Sequence, residues 1–219
     1  MQDMNVFNEQ KLKLYHGSKS GLHGEIKPCS RKKCDFGAGF YLGDKETQPK
    51  SLVSASKYAN SKFYEVSLDL KDLTIYKLET DILWALFIAY NRQIIEFPQV
   101  FIEKFKLINS YDLIIGVIAD DSMTTVLTEF YNDALTDSAL LEALQYVQLG
   151  NQYVLKTEKA CNQVKILKES NITIQERNSL NHEAIQRRNS MQQVIRNIRA
   201  KHLRDGRYFS EIIGGSLNV

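Results

Sequence analysis

Three separated segments contain the residues of this chain whose side chains are most suited to catalysis or binding. Each places a polar or aromatic side chain beside glycine, at the start or end of an apolar run that is typical of a β-strand. The segments are Tyr15-His16-Gly17-Ser18, Asp35-Phe36-Gly37-Ala38-Gly39-Phe40-Tyr41-Leu42 and Gly150-Asn151-Gln152-Tyr153-Val154-Leu155. The side chains of interest are His16, Tyr41 and Gln152.

These residue types suit cleavage of the bond between nicotinamide and ribose in NAD. The leaving ring takes the bonding electrons and the ribose becomes cationic, so the step needs positioning more than acid or base catalysis. Main chain beside Gly17 can approach a carboxamide closely, and Tyr41 can stack on the ring. His16 is expected to donate to one ribose hydroxyl, and Gln152 suits the other.

Each segment alone also fits an ordinary structural role. A histidine before glycine is common in a turn, and glycines among aromatics occur at core-lining β-bulges. Gln152 fits a polar position between a helix and a strand. An NAD site therefore requires the three segments to converge, and without convergence the chain is an unassigned α+β domain.

The elements that would position these segments alternate between strands and helices without a βαβ rhythm, which favours an α+β fold. No G-x-x-x-x-G-K-[ST] or G-x-G-x-x-G motif is present, so P-loop and Rossmann folds are disfavoured. Strands are predicted at 12–18, 40–42, 62–70, 73–76, 111–117, 152–155 and 164–167. Helices are predicted at 44–58, 81–92, 122–131, 137–149 and 180–204.

Composition indicates a globular protein of a reducing compartment. The 219 residues are 43% hydrophobic and carry a net charge of +2, too small to indicate nucleic-acid binding by itself. No run reaches the ~20 apolar residues that span a bilayer, and no signal segment is visible, so we expect a cytoplasmic protein with no membrane contact. Cys29, Cys34 and Cys161 form no disulfide framework, and Cys29-x4-Cys34 lacks a second pair, so no metal is expected.

The chain becomes more polar from Glu169 onward. This change in composition predicts a domain over 1–168 and a basic helical extension over 169–219. From Asn171 onward there are eight Lys and Arg against four Asp and Glu. The predicted helix has one narrow apolar face, formed by Ile185, Val194, Ile195 and Ile198. It either packs on the body through this face or binds nucleic acid or a protein partner through its arginines, which are Arg187, Arg188, Arg196, Arg199 and Arg204.

The chain resembles the diphtheria-toxin-like, His-Tyr-Glu branch of the ADP-ribosyltransferase superfamily, which includes the poly(ADP-ribose) polymerases. More narrowly, it resembles an uncharacterised bacterial family often encoded as the toxin of toxin–antitoxin pairs. The resemblance spans about Leu12 to Leu167. It lies in the stretches 15–18, 35–42, 111–121 and 151–154, of which Phe-Gly-x-Gly-Phe-Tyr-Leu and Ile-Gly-x-x-Ala-Asp-Asp are the more specific.

The resemblance implies split antiparallel β-sheets that form an NAD cleft, with flanking helices and the C-terminal helical extension. His16 would bind the 2′-hydroxyl of the nicotinamide ribose, Gly17 the carboxamide, and Tyr41 would stack on nicotinamide. The remaining cofactor-binding residues would be Ser18, Phe36, Gly37, Gly39 and Phe40.

Gln152 stands where the superfamily places its catalytic glutamate, and this departure narrows the expected activity. An amide cannot act as a base or carry negative charge, so polymer formation is disfavoured. Glu158, six residues on, is a second candidate carboxylate. The expected activity is single transfer of ADP-ribose to an intracellular protein or nucleic acid, by a toxin with an antitoxin partner.

Two other activities stay open, namely an NAD glycohydrolase that uses water as acceptor and a module that binds NAD or ADP-ribose without transfer. Asp120 and Asp121 follow a buried apolar run. They are candidates for contact with the ligand or acceptor at the rim of the cleft. The alternative is a helix N-cap at Asp121 or Ser122.

Overall fold

The computed structural model describes residues 10–29, 33–54, 60–146, 150–203 and 205–215. Within these ranges the strands are β1 Lys11–Ser18, β2 Phe40–Gly43, β3 Lys62–Asp69, β4 Ile75–Lys77, β5 Leu113–Val117, β6 Asn151–Leu155 and β7 Val164–Asn171. The helices are α1 Thr47–Val53, α2 Ile82–Arg92, α3 Gln99–Asn109, α4 Asp121–Tyr131, α5 Asp137–Gln145, α6 Glu158–Cys161, α7 Ile174–Lys201 and α8 Phe209–Gly214.

The strands form a seven-stranded sheet in the order β4-β5-β6-β2-β1-β3-β7. Only β4 and β5 run parallel, and the other neighbours are antiparallel. The predicted α+β class is therefore confirmed. The strands belong to one sheet rather than two separate sheets, but β1 and β2 share a single register pair, Tyr15 opposite Gly43.

The two faces of the sheet bury different clusters because side chains alternate along each strand. We call one the helical face, since α2, α3, α4, α5, α7 and α8 pack there around residues such as Ile114 and Val154. The other we call the loop face, where Leu14, Phe40, Val66 and Leu155 pack with the partly buried Leu22.

Local signals explain where the helices begin. Asp81 caps α2 by accepting from the Trp84 amide, and Trp84 Nε1 donates to the Val117 carbonyl at 2.9 Å, which ties α2 to β5. Asp120 caps α4, since its carboxylate accepts from the amides of Ser122 and Met123. The cap thus lies at Asp120 rather than at Asp121 or Ser122, where the sequence placed it.

Neither α3 nor α8 was predicted. In α3, Phe101, Phe105 and Ile108 face the core, and the preceding Phe97 joins them in a cluster of aromatic rings. The intervening charged residues conceal this four-residue spacing. The short α8 buries Phe209 against Phe130 and Tyr131, with ring centroids 5.4 and 5.2 Å apart.

The long helix α7 begins six residues earlier than predicted, because Thr173 and Glu176 form a capping box. The strand before it, β7, runs to Asn171, three residues beyond the predicted domain boundary. The predicted helix at 44–58 is present as α1, and residues 55–59 lie outside the described ranges.

The helix α7 packs on the body of the protein. Leu180, Met191, Ile195 and Ile198 are buried, whereas Ile185, which the sequence placed on the packing face, is 55% exposed. Ion pairs flank this contact, with Lys201 Nζ 2.6 Å from Glu142 and Arg187 Nε 3.7 Å from Asp120. The packing interpretation is thus confirmed, and binding of a partner by the arginines stays a prediction; Arg204 lies outside the described residues.

Within the described part of the chain, no helix combines the length and apolarity needed to cross a bilayer.

The short helix α1 lies directly on β1, and glycine at position 17 allows this approach. A Cβ at Gly17 would lie 2.3 Å from the Pro49 carbonyl oxygen and 3.2 Å from Val53 Cγ1. Since the nearest atom is main chain, the helix would have to move to admit a methyl group.

We therefore expect Gly17→Ala to lower the free energy of unfolding by about 1–3 kcal/mol, measured by urea denaturation. Gly214→Ala is the matched control, because no atom lies within 4 Å of a Cβ at Gly214, and it should change stability by less than about 1 kcal/mol. Equal stability of the Gly17→Ala variant and the wild type would show that α1 does not pack as described.

Candidate functional site

The candidate site is the place where β1 and β2 part. The ladder between β1 and β3 covers eight residues, from Lys11 to Ser18, whereas the register between β1 and β2 covers only the pair Tyr15 and Gly43. The edge of β1 from His16 to Ser18 therefore faces β2 without a main-chain ladder. We call this gap the β1–β2 opening.

His16 spans the opening. Its Nδ1 lies 2.8 Å from the Tyr41 carbonyl oxygen, and its ring stacks on Phe40 with centroids 4.4 Å apart. Because a carbonyl only accepts, Nδ1 carries the proton, and the neutral ring has its lone pair on Nε2.

Burial lowers the pKa of His16, and the hydrogen bond to the Tyr41 carbonyl opposes this only in part. The ring is therefore neutral at pH 7 and presents an acceptor at Nε2. The sequence led us to expect that His16 donates to a ribose hydroxyl; in the free protein its Nε2 is an acceptor, and binding of a ribose hydroxyl by His16 stays a prediction. A hydroxyl can still bind, since it can donate to Nε2.

Tyr41 holds the turn before β2. Its hydroxyl donates to the Gly37 carbonyl at 2.7 Å and accepts from the Phe36 amide at 3.1 Å. Gly37 has φ +73°, a conformation that disfavours side chains. Burial raises the pKa of the Tyr41 hydroxyl far above its usual range. The ring packs against the core of the helical face, and its predicted stacking on nicotinamide stays a prediction.

Gln152 lies near the start of β6, between β2 and β5, and is 3% exposed. Its neighbours in register are Gly43 on β2 and Gly116 on β5. Other side chains pack where these glycines have none. A Cβ at Gly43 would lie 2.9 Å from Gln48 Oε1, and a Cβ at Gly116 would lie 2.8 Å from Phe36 Cζ. The Gln152 Nε2 reaches the Val117 carbonyl only at 3.4 Å, so its amide is weakly held and flanked by Gln48 and Phe36.

The structure brings some predicted residues together and separates others. His16, Phe40 and the Tyr41 carbonyl meet at the opening. Register pairing places the Tyr41 and Gln152 side chains on the helical face, whereas His16 stacks on Phe40 in the core of the loop face. The three side chains therefore do not converge on one face.

The other predicted binding residues mainly support the opening. Ser18 Oγ donates to the Gly21 carbonyl at 2.8 Å and thereby fixes the turn after β1. Phe36 is fully buried, and Gly39 approaches Val154 closely. Gly17 lies under α1.

Asp120 and Glu158 are the acidic candidates whose side chains are described. The Asp120 carboxylate is occupied by the helix cap and by its ion pair with Arg187, and the side chain of Asp121 is not among those described. Glu158 is an exposed residue in the first turn of α6, beyond the far end of β6 from Gln152. Across the ranges given above, no three His, Cys, Asp or Glu side chains form a group that could hold a metal ion.

Two residues near Gln152 were missed by the sequence reasoning. Asp44 accepts from the main-chain and side-chain nitrogens of Asn151, both at 3.0 Å, and so joins the end of β2 to the start of β6. Both polar atoms of the Gln48 amide are buried and have no partner among the described residues. The only sequence signal was their position just after the strand, since their partners lie far along the chain.

Comparison with known proteins gives a family. A family model described as "Protein of unknown function (DUF3990)" matches residues 12–166. The chain belongs to the DUF3990 family. No curated protein and no solved structure matches it. The region matched to DUF3990 contains the whole β1–β2 opening and ends within β7, before α7 begins.

The Tyr41 hydroxyl provides a test of the turn in this DUF3990 protein. Tyr41→Phe removes the hydrogen bonds that the hydroxyl makes with the Phe36 amide and the Gly37 carbonyl, so the free energy of unfolding should fall by about 1–3 kcal/mol. The Phe36 amide should also exchange with solvent faster, as measured by NMR. Tyr146→Phe, at a residue that is 59% exposed, should change neither quantity. Unchanged stability and exchange in Tyr41→Phe would mean that the hydroxyl does not hold the turn.

Proposed function

We propose that this protein is a mono-ADP-ribosyltransferase, which cleaves NAD at the β1–β2 opening and transfers ADP-ribose to an intracellular protein or nucleic acid. One observation carries the proposal. A neutral His16 crosses a gap in the sheet, bonded through Nδ1 to the Tyr41 carbonyl at 2.8 Å, so that Nε2 is available to a ribose hydroxyl at an unladdered strand edge.

The surrounding groups fit the demands of this reaction. Main-chain groups on the edge from His16 to Ser18 are suited to the nicotinamide carboxamide, which needs both a donor and an acceptor. Gln152 and Gln48 offer amides on the helical face. The His16 imidazole and the main-chain edge beside it would position the substrate while the bond to nicotinamide breaks, and neither needs to exchange a proton at that step.

The amide of Gln152 limits the proposal to one transfer. It can bind a ribose hydroxyl, but it cannot activate that hydroxyl as a nucleophile for the next ADP-ribose unit. A role as a toxin, an antitoxin partner and a cytoplasmic location belong to the same proposal, and they are supported by the resemblance of the motifs at 15–18 and 35–42.

A second candidate function is binding of NAD or ADP-ribose without transfer. The specific observation in its favour is Gln152, which carries no charge and is 3% exposed, so it offers little stabilisation to a cationic ribose.

Incubation with NAD labelled in its adenylate part, in cell lysate, tests the proposal. The wild type should release nicotinamide and label a macromolecule. His16→Ala removes the acceptor and the bridge across the opening, so both rates should fall by roughly 100-fold, as expected for lost positioning. His23→Ala is the control, because His23 is exposed and bonds only within its own turn, to the Ser20 carbonyl at 3.0 Å.

Each outcome separates the candidates. Free ADP-ribose without labelled macromolecule would indicate a glycohydrolase, and binding of NAD without its loss would indicate the binding module. Absence of binding, of NAD loss and of label in the wild type would contradict all three. Equal activity of His16→Ala and wild type would contradict the assignment of the site.

A further inference from the structure

A cleft of about 330 Å³ lies at the opposite end of β6 from Gln152. It is bounded by the turn at Gly37, the C-terminal ends of α2 and α3, and Lys156, which directly follows β6. Its walls combine one cationic side chain with several carboxamides. The proposed NAD reaction uses none of these side chains.

Lys156 is a partly desolvated cation that has no counter-ion among the described residues. Its Nζ donates to the Phe36 carbonyl at 2.5 Å, and no described carboxylate lies within ion-pair distance of it. Burial lowers the pKa of Lys156 to about 8, although the nearby Cys34 opposes this shift. The amine is therefore mostly protonated at pH 7, and a buried charge of this kind is stabilised by a partner of opposite sign.

Two asparagines orient each other beside it. Asn91 is 8% exposed, and its Nδ2 donates to the Phe87 carbonyl at 2.9 Å. Its Oδ1 must therefore face Asn109, whose Nδ2 donates to it at 3.2 Å. This leaves Asn109 Oδ1 as a buried acceptor with no partner among the described residues.

The absence of a side chain at Gly37 allows these groups to approach the main chain closely. A Cβ there would lie 2.7 Å from Asn91 Oδ1 and 3.2 Å from Lys156 Nζ. Asn91 Oδ1 and Lys156 Nζ thus lie close together beside Gly37 at the wall of the cleft, and Asn109 adjoins them through its hydrogen bond to Asn91.

We propose that this cleft binds a small hydroxycarboxylate, with Lys156 as the partner of the carboxylate and Asn109 Oδ1 as the acceptor for the neighbouring hydroxyl. The cation satisfies the charge, and the orphan acceptor requires an O–H or N–H donor on the same ligand. The proposal is independent of NAD cleavage.

The single cationic side chain of the cleft favours a ligand with one negative charge. A single lysine balances one negative charge, whereas a phosphate dianion would leave a second charge unpaired in a partly desolvated site. The cleft, at about 330 Å³, has room for a small organic acid such as lactate.

Titration with four probes, followed by two-dimensional NMR, tests the proposal. The probes are lactate, propionate, which lacks the hydroxyl, lactamide, which lacks the charge, and inorganic phosphate. Lactate should shift the main-chain amides of Gly37 and Ala38 and the side-chain amide of Asn109 saturably. Propionate should bind roughly threefold to tenfold more weakly, and lactamide at least roughly tenfold more weakly. Phosphate should also bind more weakly than lactate.

Variants test the role proposed for each side chain. Lys156→Met should abolish binding of lactate, and Asn109→Ala should remove the difference between lactate and propionate. Lys104→Met, at an exposed lysine of α3, removes the same charge and should bind lactate as the wild type does.

The proposal is overturned if lactate produces no saturable shift, if the three organic probes bind equally, or if phosphate binds more tightly than lactate. Retained binding in a folded Lys156→Met would also overturn it. Should that variant not fold, the comparison of probes on the wild type decides.

Discussion

The hydrogen bond from His16 Nδ1 to the Tyr41 carbonyl is the contact on which the centre of this structure depends. It joins β1 to β2 where the main-chain ladder is limited to Tyr15 and Gly43. The His16 side chain thus replaces part of the main-chain pairing between β1 and β2, and it keeps the two strands connected across the β1–β2 opening. The same hydrogen bond fixes the tautomer of the imidazole, so the acceptor at His16 Nε2 follows from the structural role of Nδ1.

Tyr41 connects the His16 hydrogen bond to the turn that precedes β2. Its carbonyl binds His16, and its hydroxyl binds the Phe36 amide and the Gly37 carbonyl. The Phe36 carbonyl in turn accepts from Lys156. A continuous set of hydrogen bonds therefore runs from the opening, through the turn before β2, to the cleft at the end of β6. The glycines of this region admit close neighbours, with α1 over Gly17 and Phe36 over Gly116.

Much of the fold could be predicted from local pattern, and much of the site could not. Alternation in β3 and the apolar runs of β5 and β6 predicted those strands, and the density of apolar residues predicted α2. The start of α7 was missed although its capping box, Thr173 with Glu176, is local. The position of side chains across the opening depends on which strands are neighbours, and no local pattern contains that information. Asp44 and Asn151, for example, are 107 residues apart in sequence.

The identity of the candidate residues was thus easier to predict than their arrangement. His16 and Tyr41 do meet, but through a main-chain carbonyl rather than through converging side chains. Gln152 faces the helical side of the sheet, because its register with Gly43 and Gly116 dictates its orientation. Whether a histidine donates or accepts depends on its partner, and here the partner is supplied by a residue 25 positions away.

The most direct test of this account is ¹⁵N NMR of the histidine side chains at pH 7, recorded with and without NAD. The account predicts that His16 is neutral, with its proton on Nδ1, and that NAD shifts the His16 Nε2 resonance while that of His23 stays unchanged. A proton on Nε2 in the free protein, or an unshifted His16 while NAD perturbs resonances elsewhere, would contradict it.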